Sequence, residues 1–313
     1  MESNDNHSNI KKALNEKSGF QVWWRLLRPH TLTASFIPVF VGTMIAYMDG
    51  SIHFFVFLAM LIASMLIQSA TNMFNEYYDF VRGLDTEESV GIGGTIVRDG
   101  VAPKTILRLA LIFFGISILL GVYICIMSSW WIAVIGLICM LFGYLYTGGP
   151  FPIAYTPFGE LFSGFFMGTV IIGISYYIQT DVLTGDVIWL SIPIAIFIGT
   201  IMLSNNIRDL DGDKESGRKT IAILLGRENA ITFLAILFIS AYTLTLIFIG
   251  LGMLPIISII TLVSAIKARQ VIKQFRGKTK PLEMMPAMVA TGKTNTMYGL
   301  LLGLSLLVDT LLM

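Results

Sequence analysis

No lysine or arginine lies in residues 31–81, 109–207, 228–266 or 294–313, although the 313-residue chain carries 21 of them. Charge is thin overall, at 13% of residues, against about 25% in a soluble domain. With 55% hydrophobic residues, this excludes a soluble globular protein. The net charge of +1 hides an uneven distribution of basic residues, and nothing in the sequence supports nucleic-acid binding. Cysteine occurs only as Cys125 and Cys139, both inside apolar stretches. That excludes a disulfide framework and a cysteine zinc site, and both read as buried small hydrophobes. His7, His30 and His53 are scattered, so any metal site must be built from oxygen ligands. The first apolar run lacks a small-residue cleavage site, so no removable signal peptide is expected.

What is abundant is apolar sequence of membrane-crossing length. Stretches near the ~20 residues that a bilayer needs occur at 31–48, 54–78, 105–127, 130–147, 158–178, 187–207, 229–249, 251–266 and 296–313. They predict an all-α, multi-pass membrane protein of about nine transmembrane helices. The basic residues fall in four blocks, Lys11–Arg28, Arg82–Arg108, Arg208–Arg227 and Lys267–Lys293. Nine crossings with a cytoplasmic N-terminus place every block on the cytoplasmic side, as the positive-inside rule requires. Residues 1–22 are expected to form a polar, disordered cytoplasmic tail, and 23–313 the membrane domain. Trp23, Trp24, Arg25 and Arg28 suit either an interfacial segment or the flank of the first helix.

Two acidic motifs stand at the ends of the second and sixth apolar stretches, which suggests two related halves meeting at a site. One runs from Asn72 through Asn75 and Glu76 to Asp79, followed by Asp85; the other holds Asn205, Asn206, Arg208, Asp209, Asp211 and Asp213. Carboxylates are costly near hydrocarbon, so such clusters read as functional. At about 100° per residue, Asn72, Asn75, Glu76 and Asp79 share one helix face, as do Asn205, Asn206, Asp209 and Asp213, while Asp211 points away. Two converging carboxylate faces suit a hard cation such as Mg2+. Glu76, Asp79, Asp209 and Asp213 are the candidate ligands, with Asn72, Asn75 and Asn205 completing the shell. Carboxylates repel a diphosphate unless a cation bridges them, and Arg82, Arg208, Lys214 and Lys219 are placed to neutralise the rest of its charge. Metal and basic residues together would stabilise a leaving diphosphate, with apolar helices holding a lipid tail. Tyr77, Tyr78, Phe151 and Phe166 are candidates to face an allylic cation. The bland alternatives are solvated helix ends for the motifs, interfacial anchors for the tyrosines, and a solvated loop for Glu87 and Glu88.

These stretches resemble the UbiA-type intramembrane aromatic prenyltransferases from Arg28 to Met313. The likeness rests on Arg28-Pro29-His30-Thr31-Leu32, Asn72 to Asp79 with Gly83-Leu84-Asp85-Thr86, and Tyr146 to Pro152. Asn205 to Asp213 and Gly217-Arg218-Lys219-Thr220 complete it. Within the family the chain looks most like the branch that prenylates 1,4-dihydroxy-2-naphthoate on the way to menaquinone. The resemblance implies a bundle around a lipid-open central cavity, with Mg2+ and a polyprenyl diphosphate inside. It places Asn75, Asp79, Asp209 and Asp213 in the family's two aspartate-rich motifs. It also implies attack by an aromatic ring carbon and loss of the carboxylate as CO2, giving demethylmenaquinone. Glu76 stands where the commoner spelling has Asp. Pro150 stands where the hydroxybenzoate enzymes have a Lys four residues after the tyrosine, which favours the naphthoate branch. Tyr146 and Asp85 are the candidates to deprotonate the acceptor. Other aromatic acceptors, of 4-hydroxybenzoate or homogentisate type, are the alternatives within the family. An ion-coupled transporter would carry its acids near mid-membrane, and a CDP-alcohol phosphotransferase would gather its aspartates in one compact motif.

Overall fold

The computed structural model describes residues 19–29, 31–85 and 94–312. Most of the expected polar tail, His7, His30, Glu87 and Glu88 lie outside the described residues. The described residues are helical, with no strand among them. A short helix, α1 (Phe20–Leu26), leads into α2 (Thr33–Met48), α3 (Phe54–Val81), α4 (Pro103–Met127) and α5 (Trp131–Leu145). α6 (Gly159–Thr180) and α7 (Gly185–Arg208) follow. The short α8 (Leu210–Glu215) and α9 (Ile221–Leu225) then precede α10 (Arg227–Gly250), α11 (Ala265–Phe275) and α12 (Pro281–Leu312).

Six helices, α3, α4, α6, α7, α10 and α12, are long and apolar enough to cross a membrane, and α2 and α5 are shorter apolar helices. Large apolar side chains such as Leu111, Leu119 and Ile126 are exposed on the outside, as lipid-facing residues would be. The core lies among α2, α7, α10 and α12 around Phe197, Phe238, Tyr242 and Tyr298. Phe197 and Tyr298 have ring centroids 4.3 Å apart.

Two of the expected stretches differ from the structure. The last helix begins at Pro281 rather than near 296. Hydropathy is broken there by Thr291, Thr294 and Asn295, yet all three are fully buried. Thr291 and Ser204 are 2.9 Å apart, and Asn295 donates to the Thr33 hydroxyl at 3.0 Å. Such bonds join helices that hydrophobicity alone does not drive together. The stretch 251–266 is mostly a 3-10 helix, Ile256–Ser264, running into α11. A 3-10 helix repeats every three residues, so Ser258, Thr261 and Ser264 align on one fully buried face. Ser258 meets Ser305 of α12 at 2.8 Å and Ser264 meets Tyr242 of α10 at 2.8 Å. At about 2.0 Å per residue the 3-10 helix rises roughly 18 Å before α11, which carries Lys267, Arg269 and Lys273.

α6 is not uniform. Gly164–Val170 is π-helical, and it packs on α7. A Cβ on Gly164 would lie 2.6 Å from the Ala195 carbonyl oxygen, and one on Gly168 2.5 Å from the Ala195 Cα. The missing side chains therefore set the distance between α6 and α7, which carries the second acidic motif.

Candidate active site

A cavity of about 380 Å³ runs between the helices, lined by α3, α4, α5, α6 and α7. Its polar end holds Asn72, Asn75 and Asp79 from α3, and Asn205, Asn206, Arg208 and Asp209 from the end of α7. Asp213, Arg28 and Arg218 close it. The rest of the wall is mostly apolar, with Ser64, Gln68, Thr71 and Ser117 among it, and reaches Trp130 and Cys125. Phe142, Phe162 and Phe166 stack along it, Phe142 and Phe166 with centroids 4.4 Å apart.

The two motifs meet through Arg218. Its Nη2 donates to Asp79 Oδ1 at 2.9 Å and its Nη1 to Asp213 Oδ1 at 3.0 Å. The guanidinium also lies over the Tyr155 ring, 5.1 Å from its centroid, so one cation joins two helix ends distant in sequence. α7 stops at Arg208 and the chain restarts at Leu210, which leaves Asp209 at the break. Arg208 grips Asp209 with both forks, Nε to Oδ1 at 2.7 Å and Nη2 to Oδ2 at 2.5 Å. Its Nη1 points at the Met288 sulfur, 2.6 Å away. Arg208 is thus committed to orienting an aspartate.

Asn75 accepts from the Thr147 hydroxyl at 2.6 Å, which ties α3 to the loop after α5. Asn72 donates to the Leu27 carbonyl and the Thr31 hydroxyl, both at 3.1 Å. Those bonds fasten the turn in which Arg28 holds a left-handed backbone, φ 51°. Burial, opposed by Arg218, pushes the Asp213 carboxyl up to about 6.

The remaining sequence candidates sit elsewhere. Glu76 is buried but does not line the cavity; its Oε1 accepts from the Ile96 backbone N–H at 3.0 Å. On the helical wheel it lies about 40° to one side of Asn72 while Asn75 lies about 60° to the other, and only the second side opens on the cavity. Asp85 follows the end of α3 outside the cavity lining, and burial together with the Asp79 carboxylate pushes it up to about 6. Arg82 holds the loop after α5, donating to the Thr147 carbonyl and to the Gly149 carbonyl, the latter at 2.9 Å. Lys214 and Lys219 are exposed and line no part of the cavity. Tyr146 does line it. Of the four aromatic candidates only Phe166 reaches the wall; Phe151 is exposed and Tyr78 pairs with Tyr144 at 2.7 Å. Asp211 points outward to Arg227 at 3.0 Å. Arg28 and Arg218 are the cations that a role-by-role reading of the sequence passes over, although both stand in the stretches quoted above.

A divalent cation would find hard oxygen donors in Asp79, Asp209 and Asp213. Among the described residues no three acidic, His or Cys side chains gather closely enough to hold a metal ion between them. The donor chemistry suits Mg2+, and two carboxylates already share one positive charge.

The UbiA prenyltransferase family matches residues 35–308. The 1,4-dihydroxy-2-naphthoate octaprenyltransferase of Bacillus subtilis (strain 168) is 54% identical over 297 residues, covering 95% of this chain and 96% of that one. Among solved structures, the apo UbiA homolog from Aeropyrum pernix K1 superposes with a TM-score of 0.68 at 16% identity, over 90% of this chain and 98% of that one. The UbiA homolog from Archaeoglobus fulgidus bound to GPP and Mg2+ does so with a TM-score of 0.59 at 16% identity, over 89% and 98%. The aspartates that Arg218 joins and the helices that bring them together thus sit within one matched span, and the chain belongs to the UbiA prenyltransferase family.

Proposed function

We infer that this membrane-embedded transferase moves a polyprenyl group from its diphosphate to 1,4-dihydroxy-2-naphthoate, with loss of CO2, giving demethylmenaquinone. The observation that carries this reading is a single cavity with a carboxylate–arginine end and a long apolar wall, in a chain 54% identical to a named naphthoate octaprenyltransferase.

Asp79, Asp209 and Asp213, with Asn75 beside them, would hold Mg2+; Glu76, turned toward Ile96, would bear on it only indirectly. When bound, the metal would supply positive charge to the departing diphosphate. Arg218 and Arg28 neutralise the same group as the allylic C–O bond breaks and its electron pair passes to the diphosphate. Phe142, Phe162 and Phe166 line the path of the tail and offer π faces near the reacting carbon. The acceptor's ring carbon then bonds to the prenyl carbon, and the carboxylate leaves as CO2. Tyr146, on the cavity wall, and Asp85, outside it, stand as the sequence-derived candidates to relieve the acceptor of a proton.

The same reading makes nine crossings: α2 to α7, α10, the 251–266 stretch and α12. The four basic blocks support a cytoplasmic N-terminus and a site opening to the cytoplasm. Lys214 and Lys219, exposed beside that opening, suit an electrostatic guide for diphosphate rather than direct ligands. The test offers purified protein Mg2+, a prenyl diphosphate, and equal amounts of the naphthoate and 4-hydroxybenzoate, with products identified by mass. Prenylation confined to the naphthoate is expected; preference for 4-hydroxybenzoate would overturn the assigned acceptor.

A further inference from the structure

Glu160 is a buried carboxylate that the chemistry above leaves unused. It stands in the first turn of α6, is 6% exposed, and accepts from Asn206 Nδ2 through Oε1 at 2.9 Å. Its other oxygen, Oε2, is buried without a hydrogen-bond partner. A buried carboxylate with one unmet oxygen is costly, and apolar packing would serve α6 better if support were its whole purpose. Its neighbours face the cavity. Asn206 and Tyr146 both line the wall, and the Tyr146 hydroxyl lies against Gly159, where a Cβ would come within 3.1 Å of it.

The consequence lies in the amide of Asn206. A side-chain amide can present either its NH2 or its carbonyl to a neighbour, and nothing in the amide itself chooses. The Asn206 NH2 donates to Glu160 Oε1, and a carboxylate that keeps its charge there would accept that NH2 alone. The Asn206 Oδ1 is then left as an acceptor for whatever occupies this side of the cavity. A buried acceptor set in this way selects a hydroxyl donor and rejects an analogue that lacks one.

We propose that Glu160 is a positioning residue that locks the Asn206 amide with Oδ1 toward the cavity, creating a subsite for a phenolic hydroxyl of the aromatic acceptor. This rests on the acceptor reading given above. The subsite lies on the α6–α7 wall, at the same polar end of the cavity as the Arg218 bridge. It gives the site preference for a free hydroxyl on the ring without touching the diphosphate.

The experiment compares the free naphthoate diol with its two mono-methyl ethers, as kcat/KM, in purified wild-type protein and in Glu160→Gln. The wild type is expected to disfavour at least one ether on the order of 10- to 100-fold, the value of one hydrogen bond into a desolvated site. Glutamine can offer its own NH2, so the Asn206 amide is free to reverse. The diol-to-ether ratio should then fall toward one, through a higher KM for the diol, with the KM for prenyl diphosphate unchanged. Asn206→Ala removes Oδ1 directly and should give the same collapse, so it carries the test if Glu160→Gln does not fold. The Glu160→Gln/Asn206→Ala double variant should be no worse than either single one. A ratio unchanged in a folded variant, or equal loss on all three acceptors, would overturn the proposal. A wild type that prenylates none of them would instead overturn the acceptor reading itself.

Discussion

Replacing Arg218 by glutamine tests whether the two motifs are joined as the structure describes. The guanidinium bridges Asp79 and Asp213 at 2.9 and 3.0 Å, and the three side chains, Arg218, Asp79 and Asp213, are 15%, 21% and 11% exposed. At an effective dielectric near 20, each unit-charge pair about 4 Å apart is worth about 4 kcal/mol before desolvation is deducted. Losing one partner of a buried pair costs about 3–5 kcal/mol. The partial exposure here lowers the expected loss to about 2–4 kcal/mol. At 2–4 °C per kcal/mol, metal-free Arg218→Gln should unfold roughly 5–15 °C below the wild type in detergent. Saturating Mg2+ should recover much of that gap, because the unpaired carboxylates bind the ion without displacing a guanidinium. Turnover should still fall about 100-fold or more with Mg2+ present, since the leaving diphosphate loses a cation. The assay is thermal unfolding with EDTA or Mg2+, followed by turnover. Equal melting of variant and wild type in EDTA, or a deficit that Mg2+ leaves untouched, would refute the bridge.

Asp79→Asn and Asp209→Asn should each remove nearly all turnover while the protein stays folded in the membrane; near-normal activity of either purified variant at saturating Mg2+ would remove it from the site. Gly168→Leu should lower thermal stability and expression, because its Cβ would lie 2.5 Å from the Ala195 backbone; wild-type melting would mean that α6 and α7 are not in contact there. Glu76→Asp should cost far less turnover than Asp79→Asn, since Glu76 answers to the Ile96 N–H rather than the cavity. Asp85 and Asp213 are raised from 3.8 to about 6, so in EDTA they hold protons in the folded state that the unfolded chain has released. The metal-free protein should therefore gain stability as pH falls from about 7 to about 5, and Asp213→Asn should flatten that slope.

Much of this was legible in sequence because the physical signals are periodic. Apolar length marks most of the helices, and the 100° rule puts Asn72, Asn75 and Asp79 on one face, where they line the cavity, and turns Asp211 outward. The same rule misplaced Glu76, because a helix face about 100° wide is wider than the arc that opens on the cavity. Hydropathy lost the start of α12 since buried Thr291 and Asn295 look like loop residues until their partners are known. Arg218, Arg28 and Glu160 were harder still. Their roles come from what the fold sets beside them, Asp79 across the bundle for one and Asn206 for another. Local spacing carries no trace of such pairs.

The most direct measurement uses naphthoate isotopically labelled in its carboxylate, incubated with the purified protein and a prenyl diphosphate over a series of Mg2+ concentrations. Release of labelled CO2 should match diphosphate released and prenylated product formed, mole for mole, and all three should vanish in EDTA. Transfer that persists without a divalent cation, or a product that keeps its label, would contradict the account.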